Sequence, residues 1–366
     1  MLARRAEDYP RRVEPLWSTL LRTLADVADE LWRQSETLPA PYVPAERAAA
    51  AEALARRPVF VVGYYKSGTT LLLNLLDGHP DLVALPGESK HFTGLARQLG
   101  ALTAAERVRR LHGEWIRRLL SPAGLPPFWA LGEPWDAEVD PYLLFSRHLV
   151  AFAQQRAEQD LLAAVAQALA ATTGGAPRLW VEKTPTHELH VRAIRAAYPE
   201  ARFVHIVRDP RSVAAALRRY GSQEHIVDSL TAASELARSF AVADRERLAS
   251  DDYLVVRYEG LTESPEASMS TIASFLGIRD DPILLTPTVG GRPATANAST
   301  RERRVVGTIR RLSAADAALP GHLAAAIAAV AGAEARRLGY SVPRGSRPLR
   351  LALRAELWRR YRLRRR

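Results

Sequence analysis

Cysteine is absent from the 366 residues of this chain. Its absence excludes disulfide bonds, thiolate catalysis and zinc or iron–sulfur centres held by cysteine. Long hydrophobic runs are missing too, so the sequence predicts no helix that spans a membrane. The N-terminal segment carries charges throughout and has no apolar core, which argues against a signal peptide. We therefore expect a cytoplasmic protein.

Lysine is rare although the chain is basic. There are 51 Lys and Arg against 40 Asp and Glu, a formal net charge of +11, yet only Lys66, Lys90 and Lys183 are lysines. Residues 344–366 hold ten Arg and one Glu, and so carry a net charge of +9. Because the rest of the chain is nearly neutral, its charge does not predict nucleic acid as a partner.

Short apolar runs followed by helix-like segments predict an α/β fold. The run Pro58–Val62 has the pattern of a strand that is buried on both faces of a parallel sheet. Further candidate strands lie at 179–181, 203–207 and 253–256. We predict a parallel sheet flanked by helices, with a phosphate-binding loop (P-loop), a helical insertion and helical termini. Such sheets bind ligands at the carboxyl ends of their strands.

Composition divides the chain into three predicted segments. Residues 1–45 form an N-terminal helix and a proline-rich linker, residues 46–343 form the main domain with a helical insertion at about 95–175, and residues 344–366 form an arginine-rich tail. The apolar residues that recur every fourth position in the tail are Leu349, Leu353, Leu357 and Tyr361. A helix here would present an apolar stripe flanked by cations to an anionic membrane or to an acidic partner, and a solvated disordered tail is the alternative.

A glycine-containing loop follows the first predicted strand. It runs from residue 63 to residue 70 with the sequence GYYKSGTT, and its glycines have Walker-loop spacing although its lysine has moved inside the loop. Backbone N–H groups and a helix N-terminus still offer a site for an anion, and Lys66 adds a full positive charge. A plain strand-to-helix turn with Ser67 or Thr69 as its N-cap is the alternative.

The segment YKSGTTL at residues 65–71 resembles the loop of sulfotransferases that holds the 5′-phosphosulfate of 3′-phosphoadenosine 5′-phosphosulfate (PAPS). The resemblance implies that Lys66 contacts the bridging oxygen and the leaving phosphate. It also implies that the phosphate oxygens are bound by Ser67, Gly68, Thr69 and Thr70. Sulfonyl transfer spreads charge over equatorial oxygens, so positioning and electrostatics supply most of the catalysis.

The segment PGESKHF at residues 86–92 resembles the stretch of tyrosylprotein and carbohydrate sulfotransferases that supplies a general base. The resemblance implies that Glu88 removes the proton of the acceptor hydroxyl. His91 is the competing base, because the cytosolic aryl and steroid sulfotransferases use a histidine. A loop glutamate paired with Lys90 is the non-catalytic alternative.

Three later segments extend the resemblance. VEKTP at residues 181–185 implies that Lys183 points at the transferring group. FVHIVRDPRSV at residues 203–213 resembles the 3′-phosphate motif and implies that Arg208 grips that phosphate. VRYEGL at residues 256–261 implies that Tyr258 contacts adenine.

One position departs from the family pattern. The serine that the family has eight residues after the arginine is Ala216 here, so one phosphate contact is missing. Ser212 or Arg211 is the candidate replacement. A salt bridge from Arg208 to Asp209 or Glu182 is the structural alternative to phosphate binding.

Together these ordered segments identify the chain as a member of the PAPS-dependent sulfotransferases. We expect transfer of a sulfonyl group from PAPS to a hydroxyl or amine of a small-molecule, glycan or lipid acceptor, without a metal. The tail predicts attachment to the inner membrane face. The alternatives are a P-loop kinase or nucleotide hydrolase, with Thr70 on Mg²⁺ and Glu182 or Asp209 as its carboxylate, and a protein that binds nucleic acid through the tail.

Overall fold

The structure is a computed structural model that describes residues 14–38, 41, 43–120, 130–132, 140–157, 160–219, 229–293, 309, 319 and 321–363. The strands are β1 (Pro58–Val62), β2 (Leu82–Ala84), β3 (Leu179–Lys183), β4 (Arg202–Val207), β5 (Tyr253–Arg257), β6 (Thr288–Val289) and β7 (Arg292–Pro293). The helices before β3 are α1 (Glu14–Thr37), α2 (Ala45–Ala55), α3 (Thr69–Leu76), α4 (Ala96–Gly100), α5 (Ala104–Leu120), α6 (Pro141–Ala153) and α7 (Leu161–Thr173). The helices after β3 are α8 (Val191–Ala197), α9 (Pro210–Arg219), α10 (Ser229–Ala249), α11 (Tyr258–Glu263), α12 (Pro265–Leu276), α13 (Gly321–Arg337) and α14 (Arg347–Leu363).

A five-stranded parallel sheet forms the centre of the molecule. Its strand order is β2-β3-β1-β4-β5, so the chain first moves to one side of β1 and later to the other. Every residue of β1 is buried, as its uninterrupted apolar run predicts. The predicted α/β fold is confirmed, and the reversal of strand order at β1 marks the edge where ligands bind in such sheets.

Alternate side chains of β1 enter two hydrophobic cores on opposite faces of the sheet. On one face Phe60 packs against Trp180 and Phe203, with ring centroids 5.9 Å apart in each pair. On the other face Val59 and Val61 join the core formed with α3 and α12. Because successive residues of a strand point to opposite faces, one five-residue strand holds both layers of helices on the sheet.

Helices occupy the segments where the sequence predicts them. Helices α4 to α7 lie between β2 and β3, and α1 lies within residues 1–45, but residues 1–13, 121–129 and 133–139 fall outside the described part. The domain boundaries stay a prediction. None of the described helices is both long and apolar enough to cross a bilayer.

Residues Arg347–Leu363 of the arginine-rich tail form helix α14. This helix packs against α13 and α10, so the tail is not a disordered extension over these residues. Leu349 and Leu353 are half-buried, whereas Leu351 is 60% exposed. The first half of the apolar stripe is therefore partly covered by protein, and the side chains of Leu357 and Tyr361 lie outside the described part.

Candidate active site

The loop between β1 and α3 needs both of its glycines. Gly63 has a φ of 143°, and a Cβ there would lie 2.4 Å from the carbonyl oxygen of Ile206. Gly68 has a φ of 107°, and a Cβ there would lie 2.4 Å from the ring of Tyr258. Backbone conformation and space thus both exclude a side chain at these two positions. Gly68 is also the residue that caps α3, so the alternative N-cap of Ser67 or Thr69 is wrong.

The interior of this loop suits an anion. Ser67 is fully buried, and its hydroxyl has no hydrogen-bond partner among the residues that the structure describes. Thr69 and Thr70 form the first turn of α3, where backbone N–H groups are not yet used by the helix. Lys66 is half-buried and holds a left-handed conformation with a φ of 65°, which is uncommon for a residue with a side chain. A buried hydroxyl left unpaired is costly, and a phosphate oxygen would satisfy it.

A buried carboxyl group supports the start of the loop. The backbone N–H of Gly63 donates to Glu188 Oε2 at 3.1 Å, and the carbonyl oxygen of Gly63 accepts from the N–H of Thr186 at 3.1 Å. Burial raises the pKa of Glu188 above its ordinary value. The segment after β3 therefore fixes the loop after β1.

Arg208 brings three predicted cofactor-binding residues together. It follows β4 directly, is only 9% exposed, and donates from Nη1 to the carbonyl oxygen of Lys66 at 3.0 Å. Its guanidinium carbon lies 4.3 Å from the ring centroid of Tyr258, within cation–π range. The cation after β4 and the loop after β1 therefore form one continuous surface.

At the start of α9, Asp209 pairs with Arg211 and leaves Arg208 to other contacts. Asp209 accepts from the backbone N–H of Arg211 at 2.8 Å and also pairs with the Arg211 guanidinium. Arg211 is thus already engaged, and Asp209 faces Arg211 rather than Arg208. Ser212 and Ala216 lie one turn apart on the same face of α9, and both are half-buried.

Glu88, in the segment after β2, forms an ion pair with Lys183, the last residue of β3. Lys183 Nζ lies 2.9 Å from Glu88 Oε1; the lysine side chain is 4% exposed and that of the glutamate 32%. Glu88 pairs with Lys183 at the end of β3, and Lys90 is exposed. His91 is fully buried and packs edge-on against Phe92, with ring centroids 5.0 Å apart. The structure therefore joins two residues that the sequence assigned to catalysis separately.

Glu182 lies fully buried beside this pair. Its Oε1 accepts from Ser89 Oγ and from Thr184 Oγ1, both at 2.6 Å, and its Oε2 lies 3.0 Å from His187 Nδ1. Burial alone would raise the pKa of this carboxyl group, but the charge of His187 and these hydrogen bonds lower it to about 2. The sequence offered one signal for this group, a glutamate within an apolar strand.

The insertion supplies a contact that the sequence did not predict. Arg118 on α5 donates from Nε to the carbonyl oxygen of Glu88 at 2.9 Å. Its guanidinium also pairs with Glu114 at 2.9 Å and packs over Trp115. One arginine among many on an amphipathic helix gives no sequence signal for this role.

Glu182 and Asp209, the carboxylates that a kinase or nucleotide hydrolase would use to hold Mg²⁺, bind other residues of the protein. Both oxygens of Glu182 face hydrogen-bond donors of the protein, and Asp209 is paired with Arg211. Neither group is therefore directed at a metal beside Thr70. Within the described residues, no three histidine, aspartate or glutamate side chains are grouped as a metal site would require.

Comparison with known proteins gives consistent results. The chain is 28% identical over 238 residues to the nodulation protein NoeE of Sinorhizobium fredii, a match that covers 60% of this chain and 49% of the relative. It is 30% identical over 110 residues to the omega-hydroxy-beta-dihydromenaquinone-9 sulfotransferase Stf3 of Mycobacterium bovis, which covers 27% of this chain and 28% of the relative. The chain thus spans about half the length of the first relative and less of the second.

A solved structure and a family model extend the comparison. The sulfotransferase domain from the curacin biosynthetic pathway shares the fold, with a TM-score of 0.50, 19% identity, and coverage of 78% of this chain and 98% of that domain. The sequence model described as the Sulfotransferase family matches residues 58–282, which is more than half of the chain. These residues run from β1 to the segment after α12 and include every residue of the loop, the ion pair and the arginine site. The chain therefore belongs to the sulfotransferase family.

Proposed function

We propose that this enzyme transfers the sulfonyl group of PAPS to a hydroxyl or amine of an acceptor, with Glu88 as the general base. The observation that carries the proposal is the 2.9 Å pair between Glu88 and Lys183 at the carboxyl edge of the sheet. Transfer to a hydroxyl needs a base that takes the acceptor proton and a cation that meets the negative charge that develops, and this pair places one of each side by side.

The loop after β1 would hold the 5′ end of the donor. The buried hydroxyl of Ser67 and the backbone of Gly68 fit phosphate oxygens, as do Thr69 and Thr70 at the first turn of α3. Lys66 adds a cation beside them. Bound there, PAPS supplies a sulfonyl group on a good leaving phosphate.

The surface after β4 would hold the 3′-phosphoadenosine end of the donor. Arg208 offers a buried guanidinium that can bind a phosphate with two hydrogen bonds, and Tyr258 offers a ring beside it for adenine. Ser212 takes the place of the family serine in this proposal, because it lies one turn from Ala216 on the same face of α9.

Glu88 begins the proposed reaction by removing the acceptor proton. The acceptor oxygen then forms a bond to sulfur while the bond from sulfur to the bridging oxygen breaks. Lys66 and Lys183 stabilise the charge on the departing 3′-phosphoadenosine 5′-phosphate (PAP). Glu88 suits the role better than His91, because its side chain is one-third exposed whereas His91 is fully buried.

The acceptor class remains broad in this proposal: a small molecule, a glycan or a lipid. One relative is named as a sulfotransferase of an omega-hydroxy menaquinone derivative, so hydroxylated lipids belong in the acceptor panel. Peripheral binding to the inner membrane face fits a lipid acceptor. The observation in favour is that Arg347–Leu363 of the tail, with six Arg and one Glu, form helix α14.

A labelled-PAPS assay tests the activity. We expect transfer of labelled sulfonate to at least one acceptor from a panel of phenols, sugars and hydroxylated lipids, and no dependence on added Mg²⁺. ATP as the preferred donor would contradict the proposal. A variant that ends at residue 343 tests the tail, since it should lose binding to vesicles of anionic lipid while it keeps turnover on a soluble acceptor.

A further inference from the structure

The segment that carries Glu88 is fastened to strand β3 by a set of buried hydrogen bonds. Ser89 donates its backbone N–H to Glu182 Oε1 at 3.3 Å and its hydroxyl to the same oxygen at 2.6 Å. Thr184 donates its hydroxyl to that oxygen as well, at 2.6 Å. One carboxylate oxygen thus receives three donors from two separate loops.

The two hydroxyl groups also accept hydrogen bonds, which lengthens the connection. Thr184 Oγ1 accepts from the backbone N–H of Lys90 at 3.0 Å, and Ser89 Oγ accepts from the backbone N–H of His91 at 3.2 Å. Three consecutive backbone N–H groups after Glu88 are therefore bound to Glu182, one directly and two through a hydroxyl. We name Ser89, Glu182 and Thr184 with these bonds the carboxylate clamp.

The clamp residues are sequence neighbours of the proposed catalytic pair. Glu88 directly precedes Ser89, and Lys183 lies between Glu182 and Thr184. The three clamp residues are each at most 2% exposed, so water does not compete for the three hydrogen bonds to Glu182 Oε1. The ion pair between Glu88 and Lys183 requires the segment after β2 to lie against the end of β3. Since the clamp joins these two segments, it controls the distance between Glu88 and Lys183.

We infer that Ser89, Glu182 and Thr184 are positioning residues that hold the general base against the catalytic lysine. This inference rests on the proposed function of Glu88 and Lys183. The three residues contact neither donor nor acceptor in the proposal, so their loss should lower kcat without changing how the donor is bound. A substitution in the loop after β1 should instead weaken binding of the donor.

A matched pair of variants at one position tests the inference in the full chain. Thr184→Val keeps the shape of the side chain and removes the hydroxyl, whereas Thr184→Ser keeps the hydroxyl and removes a methyl group. We expect Thr184→Val to lower kcat about tenfold or more, since it leaves the N–H of Lys90 and a buried carboxylate oxygen of Glu182 each short of a partner. Thr184→Ser should keep kcat within about threefold of the wild-type value, and the KM for PAPS should stay unchanged in both variants.

Hydrogen exchange gives a readout that does not need turnover. The amide of Lys90 should exchange about tenfold faster in Thr184→Val than in Thr184→Ser, because only the serine hydroxyl can accept from it. In Ser89→Ala the amide of His91 should exchange faster than in the wild type, because the hydroxyl that accepts from it is gone. If the wild type transfers no sulfonate, the proposed function fails, but these exchange rates still test the clamp.

Two results would overturn the inference. Equal Lys90 exchange in Thr184→Val and Thr184→Ser would mean that the hydroxyl does not hold the segment. Faster exchange with an unaltered kcat would mean that the clamp exists but does not position the base.

Discussion

Arg208 and Tyr258 form a stacked pair in which the guanidinium carbon lies 4.3 Å from the ring centroid. The same ring closes against Gly68, where a Cβ would be 2.4 Å away. Tyr258 therefore contacts both the loop after β1 and the cation after β4. Since these are the two proposed phosphate sites, one ring sets their separation.

Removing Arg208 should erase the preference for a 3′-phosphate. We expect Arg208→Ala to weaken binding of PAP by about 10- to 100-fold, because a charge-assisted hydrogen bond contributes about 1.5–3 kcal/mol. Adenosine 5′-phosphate, which lacks the 3′-phosphate, should lose little affinity. Calorimetry with both nucleotides makes the comparison, and an equal loss for both would argue against a 3′-phosphate site at Arg208.

A methyl group at Gly68 should abolish nucleotide binding. Gly68→Ala forces a residue with a Cβ to hold a φ of 107° and pushes that atom into the ring of Tyr258. The left-handed backbone alone costs about 1–2 kcal/mol, and the collision adds to it. Thermal unfolding and PAP titration measure the two effects.

Gly113→Ala is the matched control for that substitution. Gly113 lies within α5, and a Cβ there would meet no atom within 4 Å. Because alanine is favoured over glycine in a helix by about 1 kcal/mol, this variant should be at least as stable as the wild type. Equal behaviour of the two variants would contradict the tight geometry of the loop.

Restoring the family serine should strengthen donor binding. Ala216 lies one turn after Ser212 on α9, where both are half-buried. Ala216→Ser should therefore tighten PAP binding, and Ser212→Ala should weaken it, each by about tenfold or less. If Ser212→Ala leaves the Kd for PAP unchanged, Ser212 is not the replacement contact.

Buried histidines should make the protein sensitive to mild acid. Burial lowers the pKa of His205 to about 3, so this ring stays neutral in the folded protein while it is protonated in the unfolded chain below its ordinary pKa of 6.5. Unfolded protein then binds more protons, and the free energy of unfolding falls by about 1.4 kcal/mol per pH unit below that value for this group. His112 and His148, with pKa values lowered to about 4 by burial, act in the same direction.

Urea unfolding at several pH values between 7.5 and 4.5 checks this prediction. His205→Gln cannot be protonated, so its stability should decline less steeply than that of the wild type over this range. The comparison uses slopes, because the substitution also disturbs the contact between His205 and Tyr253, 2.7 Å apart. Parallel slopes would show that His205 does not stay neutral in the folded protein.

The predictions from the sequence were strongest where strands end. Parallel strands bring their carboxyl ends to one edge, and Lys183 and Arg208 both follow apolar runs, so the strand pattern agrees with the roles that the family resemblance implied for them. Strand β2 was not predicted because three residues are too few for a pattern. Its neighbouring loop carries Glu88, which entered only through the family resemblance.

Contacts between distant segments could not be predicted. The hydrogen bond from Arg118 to Glu88 depends on how α5 packs over the sheet, and no periodicity reports that arrangement. The carboxylate clamp depends in the same way on the alignment of β2 and β3. Serine and threonine are common in loops, so the sequence does not indicate that Ser89 and Thr184 are buried.

The role of Glu88 as the general base is tested by the single-turnover rate of sulfonyl transfer from PAPS, measured for the wild type and for Glu88→Gln. Glutamine keeps the shape and one acceptor oxygen but cannot take a proton. We expect Glu88→Gln to lower this rate by about 100-fold or more, with an affinity for PAP within about threefold of that of the wild type. Transfer of sulfonate by Glu88→Gln at the wild-type rate would show that Glu88 is not the general base.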